Sequence, residues 1–325
     1  MSHELRKDSK IYIAGHSGLV GSAIVRRLGK GGYDNLVLKT HQELELTDQK
    51  AVNGFFETDK PEVVILAAAK VGGIYANNSY PAEFIYQNLA IQTNIIHESW
   101  QAGVKRLLFL GSSCIYPRDC RQPMKEEYLL SGPLETTNRP YALAKIAGIE
   151  MCWAYNRQYG TQYLSAMPTN TYGPGDNYDL ETSHVLPALI RKMHEAKISN
   201  SPEVIIWGTG KPRREFIYSD ELADACVFLL EQDEATYNNI LGDNQKAPLI
   251  NIGSGKDQTI KHLADVIQKV VGYEGQLSWD AEKPDGTPKK ILDIGRLSEI
   301  GWRSKLSLDD GIAKTYQHYQ AALKC

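Results

Sequence analysis

The sequence has little that would tie it to a membrane, a polyanion or a secretory route. Its charges nearly cancel, with 36 Lys and Arg against 39 Asp and Glu and a formal net charge of −3, so we expect no nucleic-acid partner. No uninterrupted apolar run approaches the roughly 20 residues that span a bilayer. The first ten residues, MSHELRKDSK, include no apolar segment typical of a secretory signal. We therefore expect a cytoplasmic protein that contacts no membrane.

Cysteine is also scarce, with 5 residues scattered along the chain and no CxxC pair. An odd number without regular spacing predicts neither a disulfide framework nor a metal site. We expect free thiols in a reducing compartment and no bound metal. Four cysteines and four histidines are assigned to packing or the surface: Cys120, Cys152, Cys226, Cys325, His97, His194, His262 and His318.

The chain of 325 residues is long enough for about two domains. In its first half, short apolar runs at 10–15, 35–40, 62–69, 106–113 and 163–169 alternate with helical patterns at 19–31, 48–58, 81–101 and 140–159. Apolar strands separated by helices predict a parallel sheet covered on both faces. The predicted fold class is α/β: a Rossmann-like doubly wound domain over 1–173, then a smaller C-terminal α/β substrate-binding domain over 174–325, with 214–232 returning to the first.

The first predicted strand runs directly into the glycine-rich turn GHSGLVG. Gly15, Gly18 and Gly21 recur at three-residue spacing where a strand passes into a helix, which lets the backbone approach a pyrophosphate at the helix N-terminus. The alternative is a purely structural turn, but the position at the start of a βαβ series favours dinucleotide binding. The candidate cofactor residues are Gly15, His16, Ser17, Gly18, Leu19, Val20 and Gly21.

The end of the second predicted strand reads Lys39-Thr40-His41, and the first acidic residue after it is Glu43. An acid at this place binds the ribose 2′-hydroxyl of NAD, whereas a base accepts the 2′-phosphate of NADP. Lys39 and His41 therefore favour NADP, although Lys39 could also be an ordinary solvated lysine.

A candidate catalytic group follows the fourth strand, where GSSCIYP and then RPYALAK occur. Tyr141 and Lys145 are four residues apart, so they share one helix face. Ser112 emerges at the carboxyl end of the strand, where open α/β sheets bind their ligands. A phenol needs a nearby cation to exchange protons at neutral pH, and the three groups suit hydride transfer at a carbonyl carbon. A simple surface pair is the alternative for Tyr141 and Lys145.

These motifs, with LAAAKVGGI, NTYGPGDNYDLETSHVLPALI and WGTGKPRREFIYSDELADA, resemble the extended short-chain dehydrogenase/reductase family over nearly the whole chain. The closest likeness is to its branch that acts on GDP sugars. The resemblance implies NADPH-dependent conversion of GDP-4-keto-6-deoxy-D-mannose, by epimerisation at C3 and C5 and then reduction at C4. Related 4,6-dehydratases place an Asp-Glu pair after the strand-end hydroxyl residue, where this chain has Ser113 and Cys114.

The resemblance also implies that Cys114 is the base and His184 the acid of the epimerisation. The protons at C3 and C5 are both α to the C4 ketone, so Ser112 and Tyr141 would stabilise the enolate as well as serve the reduction. Taken alone, Cys114 could be a small buried apolar side chain. His184 could simply open a capped helix.

Further binding residues follow from the same resemblance. Some relatives carry arginine at the positions of Ser17 and His41, so we expect the 2′-phosphate contacts here to rest on Lys39 and His41. A homodimer is also expected. The remaining cofactor candidates are Leu110, Gly111, Tyr141, Lys145, Pro168, Asn170 and His184, and the substrate candidates are Lys192, Trp207, Arg214 and Asp285.

Two other functions are compatible with the sequence. The chain could be a reductase or 4-epimerase of another nucleotide sugar, which the identity of the accepted base would reveal. It could also be a dinucleotide sensor without turnover, but such a protein would not need the Tyr141 and Lys145 pair.

Overall fold

The computed structural model describes residues 4–242, 245–283 and 285–324. Cys325, which the sequence analysis assigned to packing or the surface, lies outside these residues. The strands are β1 Ile11–Ala14, β2 Leu36–Val37, β3 Val63–Leu66, β4 Arg106–Leu110, β5 Gln162–Pro168, β6 Asn170–Tyr172, β7 Glu203–Trp207, β8 Arg213–Tyr218, β9 Leu249–Ile252, β10 Asp257–Thr259, β11 Gln276–Asp280 and β12 Lys289–Lys290.

The helices alternate with these strands through the first half and cover them on both faces. They are α1 Leu19–Lys30, α2 Gln49–Asp59, α3 Ile74–Ser79, α4 Pro81–Gln101, α5 Arg139–Tyr159, α6 Val185–Ile198, α7 Ser219–Leu230, α8 Glu234–Leu241, α9 Ile260–Val271, α10 Gly295–Glu299 and α11 Leu308–Ala322. The predicted helices at 19–31, 48–58, 81–101 and 140–159 agree with α1, α2, α4 and α5 to within one residue at each end.

The main sheet has six parallel strands in the order β2-β1-β3-β4-β5-β9. Strands β1, β3 and β4 are buried along their whole length. Their side chains are mostly apolar on both faces because helices cover both sides of the sheet. The predicted doubly wound α/β class is confirmed.

Two elements of the second half of the chain join this sheet. Strand β9 pairs with β5 at its edge, and α7 packs on α1, where Arg26 contacts Asp220 at 2.5 Å and Arg27 contacts Asp224 at 2.6 Å. The apolar face of α7 is buried in the same core as Ile11 of β1. The division at residue 173 stays a prediction, and β9 is a further segment that crosses it.

A second core lies beneath a smaller sheet in which β8 is central. Strand β8 pairs with β6, β10 and β12, while β7 pairs with β11 in a separate ribbon. Helices α6, α9 and α11 pack together here around Leu189, Leu263 and Ile312. In the part of the chain described, no helix combines the length and apolar character needed to cross a membrane.

Candidate active site

The glycine turn between β1 and α1 is closed tightly. Gly15 has φ of +83°, and a Cβ on Gly21 would lie 2.0 Å from the Gly15 carbonyl oxygen. Only glycine fits at these two positions, because the first needs a left-handed conformation and the second has no space for a side chain. Gly18 opens α1 without a side-chain cap, and the first turn of the helix has no acidic residue.

These features fit a dinucleotide. Uncapped N–H groups at a helix N-terminus suit a pyrophosphate, and Ser17 and Gly18 are exposed beside them, with Leu19 and Val20 partly exposed. In addition, His16 Nδ1 is buried without a hydrogen-bond partner among the described residues. A buried polar atom of this kind is costly unless a ligand or water satisfies it.

The loop after β2 carries both of the basic residues expected at the 2′-phosphate. Lys39 is partly exposed, whereas the His41 ring is 86% exposed and lies 2.8 Å from Glu45. Hydrogen bonds from Thr40 lower the pKa of Glu43, and the charges of Lys39 and His16 lower it further. The sequence analysis did not anticipate that two carboxylates, Glu43 and Glu45, would surround these bases.

Ser112, Tyr141 and Lys145 meet at the carboxyl end of β4. Ser112 lies two residues after the end of the strand, and its hydroxyl accepts a hydrogen bond from the Cys114 N–H at 3.3 Å. Lys145 is only 2% exposed and donates to the Leu110 carbonyl at 2.8 Å. Its ammonium nitrogen lies 5.8 Å from the centre of the Tyr141 ring, so the i,i+4 spacing on α5 brings both side chains to one place.

The electrostatics of this group are dominated by desolvation. Burial raises the pKa of Tyr141, the nearby Cys114 raises it further, and the Ser112 hydroxyl acts in the opposite direction. Burial lowers the pKa of Lys145 to about 7. Perturbed groups that lie close together are typical of catalytic sites, and here burial favours the protonated phenol and disfavours the charged amine.

The other predicted cofactor residues lie near this group, at the ends of β4 and β5 and the start of β6. A Cβ on Gly111 would lie 2.1 Å from Met167 Cε, so the chain passes closely under β5. Pro168 ends that strand, and the Asn170 amide donates to the Glu215 carbonyl at 2.8 Å. The structure thus places Leu110, Gly111, Pro168 and Asn170 at the carboxyl ends of adjacent strands, where a cofactor would lie.

Cys114 and His184 lie on different elements and share Lys290 as a charged neighbour. Cys114 lies in the short turn Ser113–Ile115 and is partly exposed. His184 is the exposed N-cap residue of α6. Although His184 keeps an exposed surface, the protein packed around it lowers its pKa by desolvation, and the charge of Lys290 lowers the pKa further. The same lysine also contacts Cys114, because its Nζ lies 3.5 Å from the Cys114 sulfur.

Asn138 and Lys290 escaped the sequence analysis. Both donate to Cys114 Sγ, at 3.1 and 3.5 Å. Asn138 could have been found from its position three residues before Tyr141, since i and i+3 share a helix face. Lys290 is 176 residues from Cys114, and only the pairing of β12 with β8 brings it near.

The candidate nucleotide end lies on the smaller sheets. Trp207 is 62% exposed, and two lysines flank its ring, with Lys192 Nζ at 5.6 Å and Lys283 Nζ at 5.4 Å from the ring centre. Lys283 was not anticipated. An exposed indole with two cations near its ring suits a flat base next to phosphates.

Arg214 and Asp285 are held near this surface by the backbone around them. The Arg214 guanidinium donates to the Thr287 carbonyl at 2.5 Å, and burial lowers its pKa. Asp285 accepts hydrogen bonds from the N–H and hydroxyl of Thr209, at 2.9 and 2.6 Å. Asp285 therefore shapes the turn that follows Trp207.

The fold and this site define the class of the protein. Residues 11–241 match the NAD dependent epimerase/dehydratase family, and the chain belongs to that family. The resemblance to extended short-chain dehydrogenases/reductases is thereby confirmed.

Individual relatives cover almost the whole chain. It is 56% identical to GDP-L-fucose synthase 1 of Arabidopsis thaliana over 313 residues, which are 96% of this chain and 94% of that protein. It is 53% identical to GDP-L-fucose synthase of Escherichia coli strain K12 over 312 residues, or 95% and 96% of the two chains. Among solved structures, a GDP-mannoheptose C4 reductase from Campylobacter jejuni with NADP bound superposes with a TM-score of 0.87 at 42% identity, covering 97% and 99% of the chains.

Proposed function

We propose that this chain makes GDP-L-fucose from GDP-4-keto-6-deoxy-D-mannose, by epimerisation at C3 and C5 followed by NADPH-dependent reduction at C4. The proposal is supported by the proximity of Cys114 to Tyr141 and by Lys290, whose charge acts on His184 and whose Nζ contacts the Cys114 sulfur. A simple reductase needs Ser112, Tyr141 and Lys145 but neither Cys114 nor His184. The high identity to GDP-L-fucose synthases supports the same reaction.

The reduction uses the strand-end hydroxyl and the phenol. Ser112 and Tyr141 donate hydrogen bonds to the C4 ketone oxygen, and Tyr141 gives up its proton as that oxygen becomes an alcohol. Desolvation keeps the phenol protonated until then. Lys145 supplies a cation that stabilises the resulting phenolate. When bound, NADPH supplies the hydride.

The epimerisation uses the same oxygen in another way. When the C–H bond at C3 or C5 breaks, its electron pair moves to the C4 oxygen, and Ser112 and Tyr141 stabilise that enolate by hydrogen bonds. Cys114 takes the proton on one face of the sugar. His184 returns a proton on the other face, so the centre is inverted.

The residues that would hold the cofactor are those of the glycine turn and the β2 loop. The uncapped N-terminus of α1 suits the pyrophosphate. Lys39 and His41 would contact the 2′-phosphate, with His41 first leaving Glu45. Leu110, Gly111, Pro168 and Asn170 would border the nicotinamide end.

The nucleotide part of the substrate would bind at the smaller sheet around β8 and the β7–β11 ribbon. Guanine would stack on Trp207, while Lys192 and Arg214 would contact the diphosphate. Asp285 would act chiefly by holding the 208–210 turn through Thr209.

A second candidate is a C4 reductase of a GDP-4-keto sugar that does not epimerise its substrate. The likeness to the C. jejuni C4 reductase favours it. Incubation of the keto sugar in D2O without NADPH separates the two. The proposed function predicts deuterium at C3 and C5, and a protein that reduces the sugar but leaves both positions unlabelled would be the simple reductase.

We further propose a cytoplasmic homodimer. The proposal of location rests on the thiols, since Cys114, Cys120, Cys152 and Cys226 are free and Cys114 must stay reduced to act as a base. The proposal of a dimer rests on exposed apolar side chains along the packed pair α4 and α5, namely Tyr86, Leu143 and Tyr159. Sedimentation of wild type and of Tyr86→Glu tests the dimer, which the variant should weaken.

A further inference from the structure

The sulfur of Cys114 receives hydrogen bonds from two separate parts of the fold. The Asn138 amide donates at 3.1 Å from the residue that precedes α5, and the Lys290 ammonium donates at 3.5 Å from the end of β12. Hydrogen-bond donors and a nearby positive charge both favour a thiolate over a thiol. Both contacts would therefore be stronger with the ionised sulfur than with the neutral thiol.

The backbone holds Lys290 in place on both sides. In the parallel pairing of β12 with β8, Lys290 lies opposite Arg214. On the other side, Ile291 N–H donates to Gln122 Oε1 at 2.9 Å, and Met124 N–H donates to the Ile291 carbonyl at 2.8 Å. The segment that carries Lys290 is thus clamped between the candidate diphosphate strand and the loop that follows Cys114.

The neighbouring lysine shows that this contact is not a general property of the strand. Lys289 Nζ lies 3.6 Å from Asp257, which also pairs with Arg213. Lys290 points to the opposite side, as successive residues of a strand do, and donates to sulfur. The one position has a carboxylate partner, whereas the other has a thiol.

Other titratable groups share this part of the cleft. The Lys290 charge also acts on His184 and on Cys120. Tyr141 approaches Cys114 from α5. A cation at this point favours the anionic form of Cys114, which the role of base requires, but opposes the protonated form of His184, which the role of acid requires. Lys290 therefore assists the base and not the acid.

We propose that Lys290 is a positioning residue for epimerisation, which stabilises the thiolate of Cys114 while Asn138 orients the sulfur; the inference rests on the proposed function. The Cys114 thiolate forms an S–H bond as the sugar C–H bond breaks, and the electron pair passes to the C4 oxygen held by Ser112 and Tyr141. Lys290 keeps its own protons throughout. Because β12 pairs with β8, which carries Arg214, this cation would reach the sulfur from the same strand pair that contacts the diphosphate.

The test is the rate at which iodoacetamide alkylates Cys114, followed by mass spectrometry of the Cys114 peptide at pH 7 and pH 10 in the full chain. In Lys290→Met, alkylation at pH 7 should be about tenfold slower than in wild type, because the variant lacks the cation that lies 3.5 Å from the sulfur. At pH 10 the two rates should agree within about twofold, since the thiol is then ionised in both.

Matched variants separate charge from structure. Lys289→Met should alkylate like wild type, and Lys290→Arg should retain most of the wild-type rate at pH 7. Should Lys290→Met fail to fold by circular dichroism, Lys290→Gln makes the same comparison, because it removes the charge and keeps a donor. Equal rates at pH 7, or a slowing that persists at pH 10, would overturn the proposal.

Deuterium exchange into the keto sugar keeps this result apart from the proposed function. If wild type exchanges C3 and C5 but its alkylation does not depend on Lys290, the role of Lys290 is wrong and the function stands. If wild type exchanges neither carbon while alkylation does depend on Lys290, the contact is real and the proposed epimerisation is wrong.

Discussion

The reducing group and the epimerising group differ in how the fold builds them. The reducing group comes from the end of β4 and from the adjacent helix α5, and it consists of Ser112, Tyr141 and Lys145. Of these, Lys145 is only 2% exposed. Cys114 and His184 sit on a turn and a helix cap, and their charged neighbour Lys290 belongs to the smaller sheet. The first group is a local, desolvated unit. The second group combines residues from both halves of the chain. Substitutions in the second half should therefore change epimerisation more than reduction.

The largest expected effect is that of Tyr141→Phe, which should slow the C4 reduction more than the proton exchange at C3 and C5. Tyr141→Phe removes the proton donor of the reduction, and NADPH oxidation with the keto sugar should fall by at least about 100-fold. Deuterium exchange at C3 and C5 should fall less, because Ser112 still stabilises the enolate. Tyr159→Phe, at the far end of α5, is the control. Equal losses of both activities would show that the two steps do not separate in this way.

Cys114→Ser should give the opposite pattern. Exchange at C3 and C5 should fall by about 100-fold, since a serine hydroxyl provides far less of the basic, ionised form than a cysteine thiol does near neutral pH. Reduction of a keto sugar that is already epimerised should stay within a few-fold of wild type. Cys120→Ser is the matched control. Undiminished exchange in Cys114→Ser would remove Cys114 from the role of base.

A smaller effect concerns stability and comes from the buried amine. The folded-state pKa of Lys145 is about 7, below its ordinary 10.5. Between these values the unfolded chain binds the proton more tightly, so this group makes the ligand-free protein more stable as pH rises from about 7 to about 10.5. Lys145→Met should melt no lower than wild type at pH 7, although it loses activity.

The measurement for Lys145 is thermal unfolding across that pH window. The Tm of wild type should rise relative to the Tm of Lys145→Met as pH increases, because only wild type has the desolvated amine, whose charged form is costly to bury. A variant that melts well below wild type at pH 7 would show that the hydrogen bond to Leu110 outweighs the cost of burial.

The smallest effect should come from the nucleotide end. Trp207→Ala removes an exposed stacking surface, and KM for the GDP sugar should rise by about three- to tenfold with little change in kcat, as expected for an aromatic contact of about 1 kcal/mol. Ile198→Ala, a similarly exposed apolar residue, should change neither constant. A fall in kcat alone would place Trp207 in a catalytic rather than a binding role.

The same contrast explains how far sequence reasoning could reach. The parallel sheet, the glycine turn and the pair Tyr141 and Lys145 depend on short-range periodicity, which the sequence displays directly. Strand β9 joins the main sheet, and Lys290 reaches Cys114, only through pairings between distant segments. Their own residues carry no sign of those partners. Likewise, the contact of His41 with Glu45 depends on the loop conformation after β2.

Complete turnover in D2O with unlabelled NADPH tests the central claim most directly. Nuclear magnetic resonance of the product formed from GDP-4-keto-6-deoxy-D-mannose should show GDP-L-fucose with deuterium at C3 and C5 and protium at C4. A C4-reduced product that keeps protium at C3 and C5 would contradict the account, because it would show that one site reduces the sugar without inverting either centre.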